Sequence, residues 1–589
     1  MKRFILLIII NFTLFIVNCF ATIHYVSHAG NNTPPYLTWK TAADSIQWAI
    51  DVCTPGDTVL VANGVYTENL VIDTSIYLIG SSMDSTIIDG TNLGNTTILT
   101  NANINLESFN IYGKGDGIGD ASVRSTYSYL QIKNCRISNC AIGISCVDGS
   151  VIIKNIIMKR MNTGISLLSA TNYYNYLIDG CIFEMVNENS SSINIGFAPN
   201  ATATITNNII LFTDNTGYGG SGIITGEPRK VYIYNNLISG NFLDNISLGN
   251  NVVDTAFIIN NALLYQLSNG LGSIYSGGSK TKVRNVIMMK NATGIYSNGQ
   301  TNSDYNIFWK NTHNLHNVAY GDSDMVRDPM FVKDTLPNPN LDFDYHLQAF
   351  SPGIDKGDPS IKDVDGTRSD IGMFGGPYGQ SYTYQDLAPR PPVNLSAVVD
   401  SNGVHLKWNK NTEADTAYYK VYRDTINNFI IDSSKIVGTP ADTFFTDIPP
   451  KGMNHLVYKI TAVDKQGNQS GPSSEVAVTI TAIKNYPTVI NNYELYQNYP
   501  NPFNPSTKIG YRLKESGYVK LMVYDILGRL VKVLVNKYQN AGYYEVEFRG
   551  QKSEAGSQLA SGIYIYRIEV IGKGNIPVFT DMKKMVYVK

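Results

Sequence analysis

From about residue 104 the chain repeats one short phrase: an apolar residue, any residue, Asn, then a run rich in β-branched side chains. It reads IKNCRI, IKNIIM, IDGCIF, ITNNII, IYNNLI, IINNAL, VRNVIM and SDYNIF. The anchors are Asn134, Asn155, Gly180, Asn207, Asn235, Asn260, Asn285 and Asn306, spaced by 21, 25, 27, 28, 25, 25 and 21 residues. Such a period marks a solenoid whose coils each contact only their neighbours. Short β-branched runs alternate with Asn or Gly, which tolerate the left-handed backbone of a sharp corner, so each unit holds strands and turns with no room for helices. The spacing predicts one three-sided coil of a parallel β-helix per unit. Asn side chains stacked at one corner would bond rung to rung every ~4.8 Å, and ten or eleven rungs would make a rod of roughly 50 Å.

The pattern changes at both ends. Thr41 to Cys53 places Ala42, Ile46, Ala49, Ile50 and Cys53 on one face of a helix, before the turn Pro55-Gly56-Asp57 and the strand Val59 to Val61. That helix would plug the N-terminal end of the rod. After Ala388 to Pro392 (APRPP), a stiff boundary, the alternating runs VNLSA, VHLKW, YYKVYR, FFTD and YKITAV recur at sandwich spacing, with turns at Gly403, Gly452 and Gly467. A third segment opens on the Pro-rich Tyr499 to Pro505 and continues with the alternating Leu521 and Val523, as in a small antiparallel sandwich. At the start, Lys2 and Arg3 precede an apolar run from Phe4 to Val17, with Cys19 and Ala21 before Thr22. This predicts a cleaved signal peptide over residues 1–21 and no transmembrane segment in the mature chain. The rival, a lipoprotein cut at Cys19, conflicts with Asn18, where a small residue is needed.

Charge sharpens the division. The 589 residues carry 46 Lys and Arg against 48 Asp and Glu, so no basic excess supports a nucleic-acid partner. The balance is segregated: residues 22–388 hold 20 basic and 31 acidic groups, residues 493–589 hold 14 and 8. Charged residues make up 16% of the chain, below the ~25% usual for globular proteins, because rungs stacked on their own copies disfavour repeated like charges. The five cysteines after the signal, Cys53, Cys135, Cys140, Cys146 and Cys181, read as buried small hydrophobes, with a bridge among them as the alternative.

Three stretches resemble known families. SIQWAIDVCTPGDTVLVANGVYTENLVIDTSIYLIGS and SPGIDKGDPSIKDVDGTRSDIGMFGG are similar to the opening and the end of pectin-lyase-like, right-handed parallel β-helix proteins, a resemblance covering residues 22–380. Pro392, Leu395, Trp408, Tyr419, Val421, Tyr422, Tyr458 and the stretch from Ala462 to Ser470 resemble a fibronectin type III domain over residues 389–482, with Trp408 in its core. YELYQNYPNPFNPSTKIGYRL, VKLMVYDILGRLV, LASGIYIYRI and KKMVYVK resemble the C-terminal sorting domain of type IX secretion cargo, over residues 493–589. That resemblance implies passage through the periplasm and recognition by the outer-membrane machinery. The cargo would then be secreted or attached to the outer surface of a Gram-negative cell. The expected fold class is all-β: a right-handed parallel β-helix (solenoid) followed by two β-sandwich domains.

Many β-helix proteins cleave acidic polysaccharides, and that chemistry needs particular residues on the rod. No histidine occurs between residues 29 and 312, and the polygalacturonase carboxylate set and the pectin methylesterase signature are both missing. The open route is β-elimination, in which Ca²⁺ neutralises a uronate and Arg or Lys takes the proton. Residues preceding the anchors form a column: Lys133, Lys154, Asp179, Thr206, Tyr234, Ile259, Arg284 and Tyr305. Lys133, Lys154 and the nearby Arg136 are the catalytic candidates; Asp179, Tyr234 and Tyr305 are the binding candidates. A solvated outward face is the alternative. Tyr173, Tyr174, Tyr218, Tyr232, Tyr234 and Tyr275 offer ring faces to sugars or pack on the rod. Asp363-Val364-Asp365-Gly366 begins like a Ca²⁺ loop without its closing Glu, making Asp363 and Asp365 metal candidates, with Asp-capped turns as the alternative. The function expected is polysaccharide binding at the cell surface. A Ca²⁺-dependent polyuronate lyase and a surface adhesin are the alternatives, since β-helices support many roles.

Overall fold

The computed structural model describes residues 21–588 except 95, 114–120, 171–172, 186–190, 213–219, 241–242, 250–253, 267–269, 337–341, 401–402, 451, 481–491, 551–558 and 573–575. The expected signal peptide, apart from its last residue, and Tyr218 lie outside the described residues. The chain divides into two compact units. The first comprises Met1–Pro392, Asn409–Lys420 and Thr461–Pro472, and the second Val393–Trp408, Val421–Ile460 and Ser473–Lys589.

The first unit is built on a parallel β-helix. Among the described residues its first face holds twelve strands stacked in chain order, from Ile23–Val26 to Gln300–Asp304. The second and third faces merge into one sheet of 21 strands. Four rungs precede the recurrent phrase, at Ile23–Val26, Thr58–Val61, Ile76–Gly80 and Ile104–Glu107, so the array is slightly longer than the ten or eleven rungs expected. Register carries the core: Ile132, Ile153, Ile178, Ile205, Ile233, Ile258 and Val283 pair one above another, all fully buried. Each such side chain contributes about 1.5–3 kcal/mol on burial.

The corners are where the phrase places them, with one shift of frame. Asn134, Asn155, Asn207, Asn235, Asn260 and Asn285 have φ of 52–56° and Gly180 has 68°. In the last rung Tyr305, at φ 59°, takes the corner, and Asp304 pairs with Arg284. Asn306 therefore belongs to the next position along, and Tyr305 leaves the column in which the phrase set it. That next position carries the buried amide ladder. Asn208 N and Nδ2 donate to Asn236 Oδ1 at 3.0 and 2.9 Å, and Asn236 N donates to Asn261 Oδ1 at 2.9 Å. Val286 N donates to Asn306 Oδ1 at 2.9 Å. Adjacent Asn residues in three rungs, at 207–208, 235–236 and 260–261, made the frame ambiguous in sequence. The ladder ends at Asp324, whose Oδ1 accepts from Asn306 N and Nδ2 at 2.9 and 3.0 Å.

The N-terminal helix is shorter than expected. It spans Ile46–Asp51, with Ser45 as its N-cap and Ile46, Ala49 and Ile50 buried. Glu68 accepts from Ile46 N at 2.8 Å, Gln47 N at 3.1 Å and Ser45 Oγ at 2.7 Å, satisfying donors a first turn leaves open. The five cysteines are free thiols, four of them buried; burial pushes Cys135 and Cys181 up to about 12.

The end of the β-helix segment folds back along its side. Outward residues Leu237, Ala262, Ile287 and Ile307 of the second face form an outer core with Phe331, Tyr345, Leu347 and Ile371. Beside it, Asn260 Nδ2 donates to Asp370 O at 2.8 Å, and Asn235 Nδ2 donates to Gly375 O at 2.6 Å. A Cβ on Gly375 or Gly376 would lie 2.7 Å from the Asn260 amide group, so the GMFGG run is what permits the close approach.

This strap buries Asp370, whose Oδ1 accepts from Asp355 N and Oδ2 from Tyr384 OH, both at 2.9 Å. Burial, aided by Asp363 and Asp355, raises its carboxyl to about 6. The folded value exceeds the unfolded one, so protonation stabilises the fold below pH ~4, and that contribution disappears as pH rises through about 6. Asp370→Asn is expected to raise stability at pH 7 by about 1–3 kcal/mol and to flatten the slope between pH 4 and 6. Urea midpoints across pH test this; an unchanged slope in the variant would refute it.

Two sandwiches follow. In the first, Ser396–Asp400, Gly403–Lys407 and Phe444–Asp447 form a three-stranded antiparallel sheet, and Ile436–Gly438, Thr416–Asp424, His455–Asp464 and Val476–Thr479 a four-stranded one. Trp408 and Tyr458 are buried. The second pairs Glu494–Leu495, Ser506–Leu513 and Gly542–Arg549 in one sheet, and Leu530–Gln539, Gly517–Asp525, Gly562–Ile571 and Pro577–Tyr587 in the other. Leu521, Val523, Tyr566 and Ile568 fill its core.

Candidate functional site

Because strand side chains alternate between faces, the outside of the first face carries two columns. One runs Glu107, Lys133, Lys154, Asp179, Thr206, Tyr234, Ile259, Arg284 and Asp304. The other runs Asn105, Gln131, Ile152, Leu177, Thr204, Tyr232, Phe257, Lys282 and Asn302. Successive members are ~4.8 Å apart.

The early rungs are charged. Lys133 and Lys154 are register neighbours. Lys154 Nζ lies 3.2 Å from Asp179 Oδ2, while Asp179 Oδ1 accepts from Thr206 Oγ1 at 3.0 Å. Lys133 has no ion-pair partner among the described residues. Arg136 lies beyond the corner on the second face, with Nη2 3.2 Å from Asp84, so it does not join the two lysines.

The later rungs are aromatic. Tyr232 and Phe257 stack at 5.2 Å with an interplanar angle of 14°, and Lys282 Nζ lies 5.6 Å from the Phe257 ring centre. Tyr234 lies beside Tyr232 at 5.8 Å and is stacked by Tyr378 at 5.6 Å. Burial, with those two phenols adjacent, raises the Tyr234 hydroxyl above the usual tyrosine range, which keeps it neutral. Lys282 is exposed, and Tyr232 and Phe257 are half-buried. The group is an apolar stack with the Lys282 ammonium over its last ring, offering apolar surface and a cation side by side. A second aromatic column, Tyr275, Tyr296 and His316, runs in register on the third face, with Tyr296 and His316 stacked at 4.3 Å.

Other candidates are occupied locally. The Arg368 guanidinium lies 5.6 Å from the Tyr305 ring centre. Asp363 accepts from Asp370 N at 3.0 Å and from Gly376 N. Asp365 accepts from Thr367 N and Oγ1 at 2.9 and 2.7 Å. Asp365 thus caps its own turn, and Asp363 ties that turn to the strap. Tyr173 is exposed, and Tyr174 packs partly against the core. His24, Cys53 and Asp57 converge at the N-terminal end, but their polar atoms are taken: His24 Nδ1 faces Pro35 O at 2.6 Å, Cys53 Sγ donates to Ala49 O at 3.1 Å, and Asp57 accepts from Thr22 N at 2.7 Å. Sequence reasoning missed Phe257 and Lys282. Their signal is the same 25-residue step, taken from Tyr232 instead of Tyr234.

Residues 497–576 match the family described as the secretion system C-terminal sorting domain, so the chain carries a secretion sorting domain. An amylopullulanase of Thermoanaerobacter thermohydrosulfuricus is 33% identical over 108 residues, 18% of this chain and 7% of the relative's length. Among solved structures, pectate lyase Pel9A is similar over 60% of this chain and 96% of its own, at 14% identity and a TM-score of 0.40. A Fn3-like protein from Clostridium thermocellum is similar over 17% of this chain and 99% of its own, at 26% identity and a TM-score of 0.14. No helix among the described residues is long and apolar enough to cross a membrane.

Proposed function

We propose that this chain is a secreted or cell-surface β-helix protein that binds a polysaccharide along the outside of its first face, exported by the type IX system. The observation that carries this reading is the stacked Tyr232–Phe257 pair with the Lys282 ammonium over the Phe257 ring. Stacked rings on consecutive rungs of a stiff scaffold are preorganised, so little conformational entropy is lost when an extended chain lies along them. The early half of the same face offers the Lys154–Asp179 pair and Lys133 as polar contacts for its continuation.

The test is binding of the purified exported protein to a panel of acidic and neutral polysaccharides, with and without Ca²⁺. Tyr232→Ala and Phe257→Ala are each expected to weaken binding about five- to tenfold, from the ~1 kcal/mol of an aromatic contact, with melting temperature little changed. Equal affinity in wild type and both variants would remove the strip from the reading, and a chain that binds no polysaccharide would favour the adhesin. A lyase reading draws on Lys133, the one of the two column lysines without an ion-pair partner among the described residues. Ultraviolet-absorbing unsaturated ends, lost in Lys133→Ala, would establish it.

A further inference from the structure

We propose a Ca²⁺ site formed by Asp386, Asp415 and Asp464, independent of the glycan reading. All three residues belong to the first compact unit. Asp386 lies in the extended connector after the strap, Asp415 immediately precedes strand Thr416–Asp424, and Asp464 ends strand His455–Asp464. Carboxylate oxygens of the three lie within 4.8 Å of one another. With Ca²⁺–oxygen distances of 2.3–2.6 Å, two ligands on opposite sides of one ion stand about 5 Å apart, so a single ion can touch all three.

Convergence of acids is common on surfaces; the second observation is the state of Asp415. It is 4% exposed, yet only its own amide donates to its carboxylate among the described residues. Of the neighbouring cations, Arg390 Nη1 lies 2.7 Å from Asp328, and Lys465 Nζ donates to Ala414 O at 3.4 Å without an ion pair to Asp415 or Asp464 among the described residues. Asp464, by contrast, is held firmly, with Oδ1 accepting from Gln466 N, Gly467 N and Asn468 N at 3.0, 2.7 and 2.8 Å. One buried carboxylate is thus fixed by three backbone N–H groups, and a second beside it accepts from no other residue among the described residues. A buried charge in that state is costly unless a cation compensates it. The donors are all oxygen, which selects a hard cation over zinc or copper. The two buried carboxylates come from the loop and strand end of one sandwich and the third from the connector, so the ion would pin the connector in place.

The test is titration of the full exported protein, stripped with EDTA, with CaCl₂, followed by calorimetry and melting temperature. One site is expected with Kd of about 10⁻⁴–10⁻³ M, as in extracellular modules, and a rise in Tm of a few degrees at saturating CaCl₂. Asp415→Asn is expected to remove this response and to raise the Tm of the calcium-free protein, because it deletes an uncompensated charge; simple loss of structure would lower it. Asp386→Asn, at an exposed position, is expected to weaken CaCl₂ binding about tenfold without altering the calcium-free Tm, and it decides the matter should Asp415→Asn not fold. The proposal is overturned if CaCl₂ leaves wild type unchanged, or if the variants respond as wild type does.

Discussion

Deleting residues 493–589 is expected to leave the protein in the periplasm, with none detected in the medium or on the cell surface. The segment matched to the sorting domain, residues 497–576, folds as its own sandwich with its own core, so its removal strips the address without opening the β-helix. Tyr566 is fully buried; its hydroxyl donates to Tyr496 O and accepts from Asn498 N, both at 2.8 Å. Tyr566→Ala loses this ring and both hydrogen bonds, a cost of about 3–5 kcal/mol, enough to unfold a small module and reproduce the deletion. Tyr499 is 72% exposed, so Tyr499→Ala leaves the sandwich folded and tests surface recognition alone. Fractionation and immunoblotting decide; full export of the deleted chain would refute the sorting role.

Asn236→Ala is expected to destabilise the β-helix by about 3 kcal/mol or more. Asn236 sits mid-ladder: its Oδ1 accepts from Asn208 N and Nδ2, and its Nδ2 donates to Ile205 O at 3.0 Å and Tyr234 O at 2.9 Å. Alanine leaves a buried backbone N–H without an acceptor and two carbonyls short of a donor, and it opens a cavity. Asn236→Asp is expected to be worse, because it turns an oxygen toward those carbonyls and buries a charge. Urea midpoints measure both. A loss below about 1 kcal/mol for Asn236→Ala would show that the rungs do not depend on the ladder.

The sequence made legible whatever repeats. The corner asparagines, the first-face column from Lys133 to Arg284 and the sorting module all follow from local pattern. What escaped it depends on distant partners. The strap over the second face is foreshadowed only by the runs Ala262–Leu264 and Ile287–Met289, where alternation lapses because both sides are buried. Tyr305 was misplaced because a corner Asn and a ladder Asn stand side by side in three earlier rungs, at 207–208, 235–236 and 260–261, and in the last rung a tyrosine replaces the first. The Asp386, Asp415 and Asp464 cluster is invisible because no local spacing relates its members; the fold of the chain assembles it. The candidate metal residues Asp363 and Asp365 show the converse, a loop-like motif whose oxygens accept from backbone and hydroxyl donors of the same segment.

Asp324 has a consequence for assembly. An amide both donates and accepts, so a ladder of Asn can template another copy of itself, and rods with identical ends can polymerise end to end. A carboxylate only accepts. Asp324 occupies the ladder position of the terminal rung, since Met325 pairs with Ile307, and its Oδ2 is engaged by Ser303 Oγ at 2.7 Å and Gly321 N at 2.9 Å. A further rung would find its acceptor already engaged and no amide to donate, so the side-chain ladder cannot be continued past the residue that completes it.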